Sequence, residues 1–287
     1  MKTIDKILRN NAGHWVGDGF PVRSLFSYNG DTRAISPFLL FDYAGPWTFE
    51  PNAANPRGVG QHPHRGFETV TIVYDGEVSH RDNSGGGGTI GNGEVQWMTA
   101  GSGIIHEEYH SAGYSKTGGP FRMVQLWVNL PAKDKMTPPG YQAITRDSIP
   151  EIALDGGRAR IIAGDFSGTS GPARTFSPVN LWDVRLDADA QVTLPLPDGH
   201  TTMVAVLSGH VTIDGQGLGE AEIAQLSLAA EGVEIKADGQ TMLLVMTGEP
   251  IDEPVVGHGP FVMNTEAEIR QAFADFNSGR FGAMAPA

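Results

Sequence analysis

His62 and His64 stand two residues apart, and His106 returns some forty positions later with Glu107 and Glu108 beside it. In an extended strand, residues two apart share a face. One strand can therefore present both His62 and His64 to a single point, and a second can present His106 and Glu108, while Glu107 faces away. Three neutral imidazoles and one carboxylate suit a divalent transition metal: Fe, Mn, Co, Ni, Cu or Zn. One histidine alone reads as an ordinary hydrogen-bonded residue. His-x-His on one strand with His-x-Glu on another reads as a metal site. Glu68 has the parity of His62 and His64 and is a fifth candidate, as a ligand or as a group holding an imidazole N–H. His80 and His110 are weaker candidates, His80 reading rather as a polar lining or turn residue, and His14, His200, His210 and His258 read as ordinary ones.

The elements that must position these residues read as short strands. Thr69-Val-Thr-Ile-Val-Tyr74 is β-branched and apolar, and the Asp75-Gly76 that follows is a hairpin signal. Glu94 to Met98, Ile104 to Glu108 and Phe121 to Leu130 continue the pattern. Glycine, at 38 of 287 residues, supplies many tight turns, which favours an all-β sandwich or barrel. Pro131 to Tyr141 interrupts with Lys133, Lys135, Pro138 and Pro139 and reads as an interdomain linker. Beyond it, short strands resume. Thr265 to Glu268 is a capping box, with Ile269, Phe273 and Phe276 on one stripe and Gly279 at the C′ position, so the chain closes on one amphipathic helix. Thr69 to Val78 also lies over Thr202 to Val211 as a weak internal repeat. Carried along the chain by hand, that alignment sets Pro195 and Pro197 opposite His62 and His64, Glu234 opposite His106 and Lys236 opposite Glu108.

Composition excludes several functions. A net charge of −13 opposes direct nucleic-acid binding and binding to anionic membranes. With no cysteine there are neither disulfides nor thiolate ligands. The N-terminus has no apolar signal region and no run reaches membrane-span length, so a cytoplasmic protein is expected. Gly85 to Gly88 lacks the Lys-Ser/Thr of a phosphate-binding loop, and Gly101-Ser102-Gly103 is not a nucleophile elbow.

Four longer motifs carry a family resemblance: His62-Pro-His-Arg-Gly-Phe-Glu-Thr69, Glu77-Val-Ser-His-Arg-Asp82, Gln96 to Glu108, and Gln125-Leu-Trp-Val-Asn-Leu-Pro131. Together with Lys135-Met-Thr-Pro-Pro139 and the tail from Gly259 to Gly282, they closely resemble the pirin family of the cupin superfamily. The resemblance implies an all-β bicupin: two β-barrels of the jelly-roll type and a short C-terminal helix. It implies a metal-binding cupin over residues 1–132 and a degenerate cupin with the terminal helix over 140–287. It implies His62, His64, His106 and Glu108 as ligands, with iron(II) the expected ion. In the broader cupin pattern the carboxylate ligand comes from the first motif, where Glu68 stands. Pirins use the second-motif glutamate, which favours Glu108.

Some pirins resemble quercetin 2,3-dioxygenases, which open a flavonol ring with O₂ and release carbon monoxide. That implies a small planar aromatic substrate, O₂ as co-substrate and Glu108 as catalytic base. Phe67, Trp97 and Trp127 are candidates to line the substrate site, with core packing as the plainer role for each. Other pirins resemble regulators that act through a protein partner, with the metal as a switch. A monomer is expected.

Overall fold

The structure, a computed structural model, describes residues 1–285 and is built mainly of antiparallel strands. It forms two compact units that depart from chain order at both ends. One comprises residues 12–32, 38–146 and 252 onward; the other comprises 1–11, 33–37 and 147–251. No helix is long and apolar enough to cross a membrane.

The first unit pairs two sheets. Its seven-stranded sheet runs, in spatial order, Gly140–Ile144, Val95–Thr99, Phe67–Asp75, Gly119–Asn129, Phe38–Phe49, Phe20–Ser27 and His14–Val16. Its four-stranded sheet runs Gly58–His64, Ile104–His110, Val78–Asp82 and Gly87–Ile90. Phe67–Asp75 is buried along all but its last residue, as a central strand covered on both faces must be. Gly76, at φ +90°, makes the predicted hairpin turn, a conformation that favours glycine. The second unit repeats the plan with a seven-stranded sheet and a four-stranded sheet of Gln191–Leu194, Val233–Ala237, His210–Ile213 and Gln216–Gly219. Its first edge strand is Ile4–Arg9, paired with Glu222–Leu226.

The internal repeat is therefore real, but the sequence alignment slips by one residue in the four-stranded sheet. In the first unit Glu108 faces His80 and His106 faces His62. In the second, Ile213 occupies the place of His80 and faces Ile235, while Val233 faces Leu194. The counterparts of His62, His64, His106 and Glu108 are thus Leu194, Leu196, Val233 and Ile235, all buried in one apolar cluster. Glu234 and Lys236 point outward, where Glu234 accepts a hydrogen bond from Gln191. A one-residue slip exchanges the two faces of a strand, and the loops between the matched strands conceal it in sequence. The second unit replaces a polar cluster with side chains that each stabilise by about 1.5–3 kcal/mol when buried.

The segment expected to be a linker is ordered and packed. Ala132–Asp134 is a single 3₁₀ turn, and Gly140–Ile144 adds an edge strand against Val95–Thr99. Between them Lys135 turns inward, 1% exposed, and its ammonium donates to Gly66 O at 2.8 Å, Asn129 Oδ1 at 2.8 Å and Val262 O at 2.9 Å. All three donors are satisfied, which a lysine on a mobile linker would not need. Lys135→Met is expected to lower stability by about 3 kcal/mol or more, because each buried acceptor left unpaired costs about 1–3 kcal/mol. Urea unfolding measures it, and a loss below about 1 kcal/mol would contradict the packing role.

Glu266–Asn277 forms the predicted helix. Thr265 Oγ1 accepts from the Glu268 N–H at 3.2 Å, and Gly279 takes φ +76° after the last turn. Ile269, Phe273 and Phe276 pack with Phe261, Met263 and Phe281. The helix belongs to the unit that carries the histidines, because Arg65, the residue after His64, donates to Asp275 on the helix at 2.9 Å.

Candidate metal centre

The four-stranded sheet brings the two His-bearing strands side by side. His106 lies directly opposite His62. One step along, Glu108 faces Val59, so the partner strand carries one extra residue near Gly60. Such a bulge re-aims side chains locally. Ligand atoms of His62, His64 and His106 lie within 4.8 Å of one another. Their ring centroids are 4.1 Å apart for His62–His106 and 4.9 Å for each of the other two pairs.

The cluster's chemistry fits a cation. His62 Nδ1 donates to Gly60 O at 2.8 Å in the Nδ1–H tautomer, which leaves the Nε2 lone pair free for a cation. A bond of that kind fixes ring orientation in metal-bound histidines. Both ring nitrogens of His106 and Nδ1 of His64 are buried with no hydrogen-bond partner among the described residues. Burial, reinforced by the neighbouring imidazoles, pushes His64 and His106 well below the usual histidine range. Burial also lowers His62. Three neutral imidazoles with unspent lone pairs, gathered in an apolar setting, have the character of a ligand set rather than of packed core residues.

Glu108 shares the face of His106 and is buried, but it stands outside the tight histidine group. Its Oε1 lies 3.4 Å from Thr71 Oγ1 on the seven-stranded sheet, a long second contact of a hydroxyl whose short bond, at 2.7 Å, goes to Gln125 Oε1. Burial pushes its carboxyl up to about 7 against the opposing pull of the Thr71 hydroxyl. Glu107 faces away, paired with Arg81.

Glu68 departs from its expected place. Arg65 and Gly66 carry the chain from one sheet to the other, so parity counted from His64 does not continue into Phe67–Asp75. Phe67 and Thr71 face the histidines and Glu108, while Glu68, an odd step from each, lies on the opposite face, where it accepts from Thr99 Oγ1 at 2.7 Å. Trp97 pairs with Val70 on that opposite face as well. Of the three aromatic candidates, Trp127 lines the cavity beside the histidines and Phe67 stacks on it at 4.2 Å while touching His64 at 5.2 Å.

The cavity measures about 440 Å³ and its lining includes His62, His64 and Glu108. That falls within the range of roughly 300–1,000 Å³ typical of small-molecule sites. Its other walls come from His14, Asp42, Gln125, Trp127 and a set of aliphatic and aromatic side chains. The sequence reading did not single out Asp42, Thr71 or Gln125, and it gave His80 a lesser place. His80 stacks on Tyr141 with ring planes 5° apart and lies 5.1 Å from the His106 ring. The signal for His80 was its alternation with Val78 and Asp82. The signal for Asp42 was a lone charge in the apolar run Phe38 to Ala44.

Two seven-plus-four sheet pairs, with a polar three-histidine cluster in one and an apolar core in the other, define a bicupin with a single candidate metal centre among the described residues. The pirin family model matches residues 19–128 and the model of its C-terminal cupin domain matches 181–282, and the chain belongs to the pirin family. It is 55% identical over 283 residues to a Pseudomonas aeruginosa protein provisionally named a quercetin 2,3-dioxygenase, covering 98% of this chain and 99% of that one. A crystal structure of a quercetin 2,3-dioxygenase from Acinetobacter baumannii matches with a TM-score of 0.96 at 53% identity, over 99% of this chain and 100% of that one. Human pirin is 37% identical over 260 residues, 88% of this chain and 85% of its own.

Proposed function

We propose that this protein is a metal-dependent dioxygenase that opens the ring of flavonols such as quercetin with O₂. The observation that carries this reading is the histidine triad opening onto a cavity of about 440 Å³ with a buried glutamate beside it. The relatives named for that activity match along nearly the whole chain.

His62, His64 and His106 are the proposed metal ligands, with Glu108 joining them or standing free as the base. Iron(II) is the proposed ion. When bound, such an ion supplies a Lewis acid that lowers the pKa of a coordinated hydroxyl. The chain's own residues do the rest. Glu108, beside Thr71, takes the hydroxyl proton onto its carboxylate. Trp127, backed by Phe67, offers a flat apolar wall for an aromatic ring. The proposed division of labour places chemistry in the unit that carries the histidines, residues 12–32, 38–146 and 252 onward, rather than in a domain ending at 132, and structural support in the other unit.

The test is anaerobic loading with Fe(II), followed by quercetin and O₂. Loss of the flavonol absorbance with matching O₂ uptake is expected, with His64→Ala at background. Parallel loading with Mn, Co, Ni, Cu and Zn ranks the metals. Only the ionised carboxylate accepts a proton, so the rate should fall as acid protonates Glu108, and Glu108→Gln should remove that limb. A fully metallated wild-type protein that turns over no flavonol with any of these ions would overturn the reading.

A further inference from the structure

The cavity has a second polar pole, away from the histidines. On the cavity face of the seven-stranded sheet, directly paired residues form a polar row: Gln96 opposite Thr71, Thr71 opposite Gln125, Gln125 opposite Asp42, and Asp42 opposite Ser24. Directly paired residues on antiparallel strands point to the same side. Two hydrogen bonds run along the row: Thr71 Oγ1 donates to Gln125 Oε1 at 2.7 Å, and Ser24 Oγ donates to Asp42 Oδ1 at 2.5 Å. At one end Thr71 touches Glu108. At the other, Asp42, 7% exposed, lines the same cavity as His62 and His64, with Ser24 and His14 beside it. The wall around this row is apolar, from Val22, Leu40, Met123 and Trp127.

A carboxylate in that position needs a reason. An ionised aspartate buried against aliphatic and aromatic walls is costly unless its lone pairs are used, and one serine hydroxyl uses only part of its capacity. Burial raises the Asp42 carboxyl, opposed by the Ser24 bond and by His14. Asp42 stands two strands from Thr71, about 10 Å at roughly 4.8 Å per strand. A bicyclic ring bearing an aryl substituent spans that gap, and a single phenol does not.

We propose that Asp42, supported by Ser24, is the second recognition point of this cavity and accepts a hydrogen bond from a hydroxyl on the aryl ring remote from the histidine cluster. The inference rests on the flavonol reading and refines it: the preferred substrates are flavonols hydroxylated on the pendant ring. Apolar walls orient the flat molecule, the histidine end fixes the enol, and Asp42 reads the far hydroxyl. A site built to hydrogen-bond a hydroxyl discriminates strongly against an analogue lacking it, because the buried partner is then left unpaired.

Equilibrium binding tests this without turnover. The metal-loaded protein is titrated anaerobically with 3,4′-dihydroxyflavone and with 3-hydroxyflavone, following tryptophan quenching. Wild type should bind the 4′-hydroxylated ligand about 10–100-fold more tightly, the usual worth of a hydrogen bond to a charged group. Asp42→Ala should bring the two affinities within about threefold, chiefly by weakening the hydroxylated ligand. Asp42→Asn should lie between, and Ser24→Ala, which leaves the carboxylate in place, should narrow the gap less; these two variants decide the matter if Asp42→Ala does not fold. Binding of both ligands without a preference in wild type, or the same preference in the Asp42 variants, overturns the role of Asp42 and leaves the flavonol reading standing. Binding of neither ligand overturns that reading, and the present inference with it.

Discussion

His106→Ala is expected to leave the chain without its metal. His106 sits at the centre of the cluster, opposite His62 and 4.9 Å from the His64 ring, with both ring nitrogens buried and unpartnered by the protein. Removing an outer-shell partner of a metal ligand commonly costs about 10–100-fold in affinity, and removing a ligand itself should cost more than about 100-fold. Elemental analysis after dialysis should show metal near one per chain in wild type and near zero in His106→Ala. His62→Ala should behave alike. His210→Ala is the control: His210 is exposed and hydrogen-bonded to Asp238 at 2.5 Å in the other compact unit, so its loss should leave the stoichiometry unchanged. Full metal content in His106→Ala would remove the basis for the triad. The same variant should fold at least as well as wild type without metal, since it deletes buried nitrogens that lack partners.

The second large effect is expected from Asp275→Ala. Arg65 follows His64 directly, and its guanidinium is nearly inaccessible. It donates to Ser102 O at 2.8 Å and to Asp275 Oδ2 at 2.9 Å, and it lies 4.6 Å from the centroid of the Phe281 ring. Asp275 also accepts from Gln271 and Arg280, both at 2.7 Å. Taking Asp275 away strands the Arg65 charge in the interior. Breaking one side of a buried pair costs about 3–5 kcal/mol, far more than an exposed pair. Urea unfolding of Asp275→Ala should show a loss of that size. A double replacement, Arg65→Met with Asp275→Leu, should recover much of it, because the charge and its partner leave together. A loss under about 1 kcal/mol in the single variant would show that the helix holds by its apolar stripe alone.

The site shows where strand parity informs and where it fails. Within one strand, alternation is set by the backbone, so His62 with His64, and His106 with Glu108, were legible as two pairs. Glu107 facing outward followed from the same rule. Glu68 did not follow, because Arg65 and Gly66 move the chain between sheets and reset the count. The repeat failed for a related reason: an unseen one-residue difference in the loops turned Leu194, Leu196, Val233 and Ile235 into Pro195, Pro197, Glu234 and Lys236. Lys135 was hidden because a lysine among prolines has the composition of a linker, while its burial depends on three acceptors, two of them on distant segments.

By itself the sequence determined the all-β class, the histidine pairs, the closing helix and the family motifs. These are encoded locally, in β-branched runs, two-residue spacing and a capping box. Only the tertiary structure decided that Glu108 lines the histidines' cavity while Glu68 faces away, which aromatic rings face the histidines, and that Asp42 lies across the same cavity. Those depend on register between strands far apart in the chain, which local spacing does not carry.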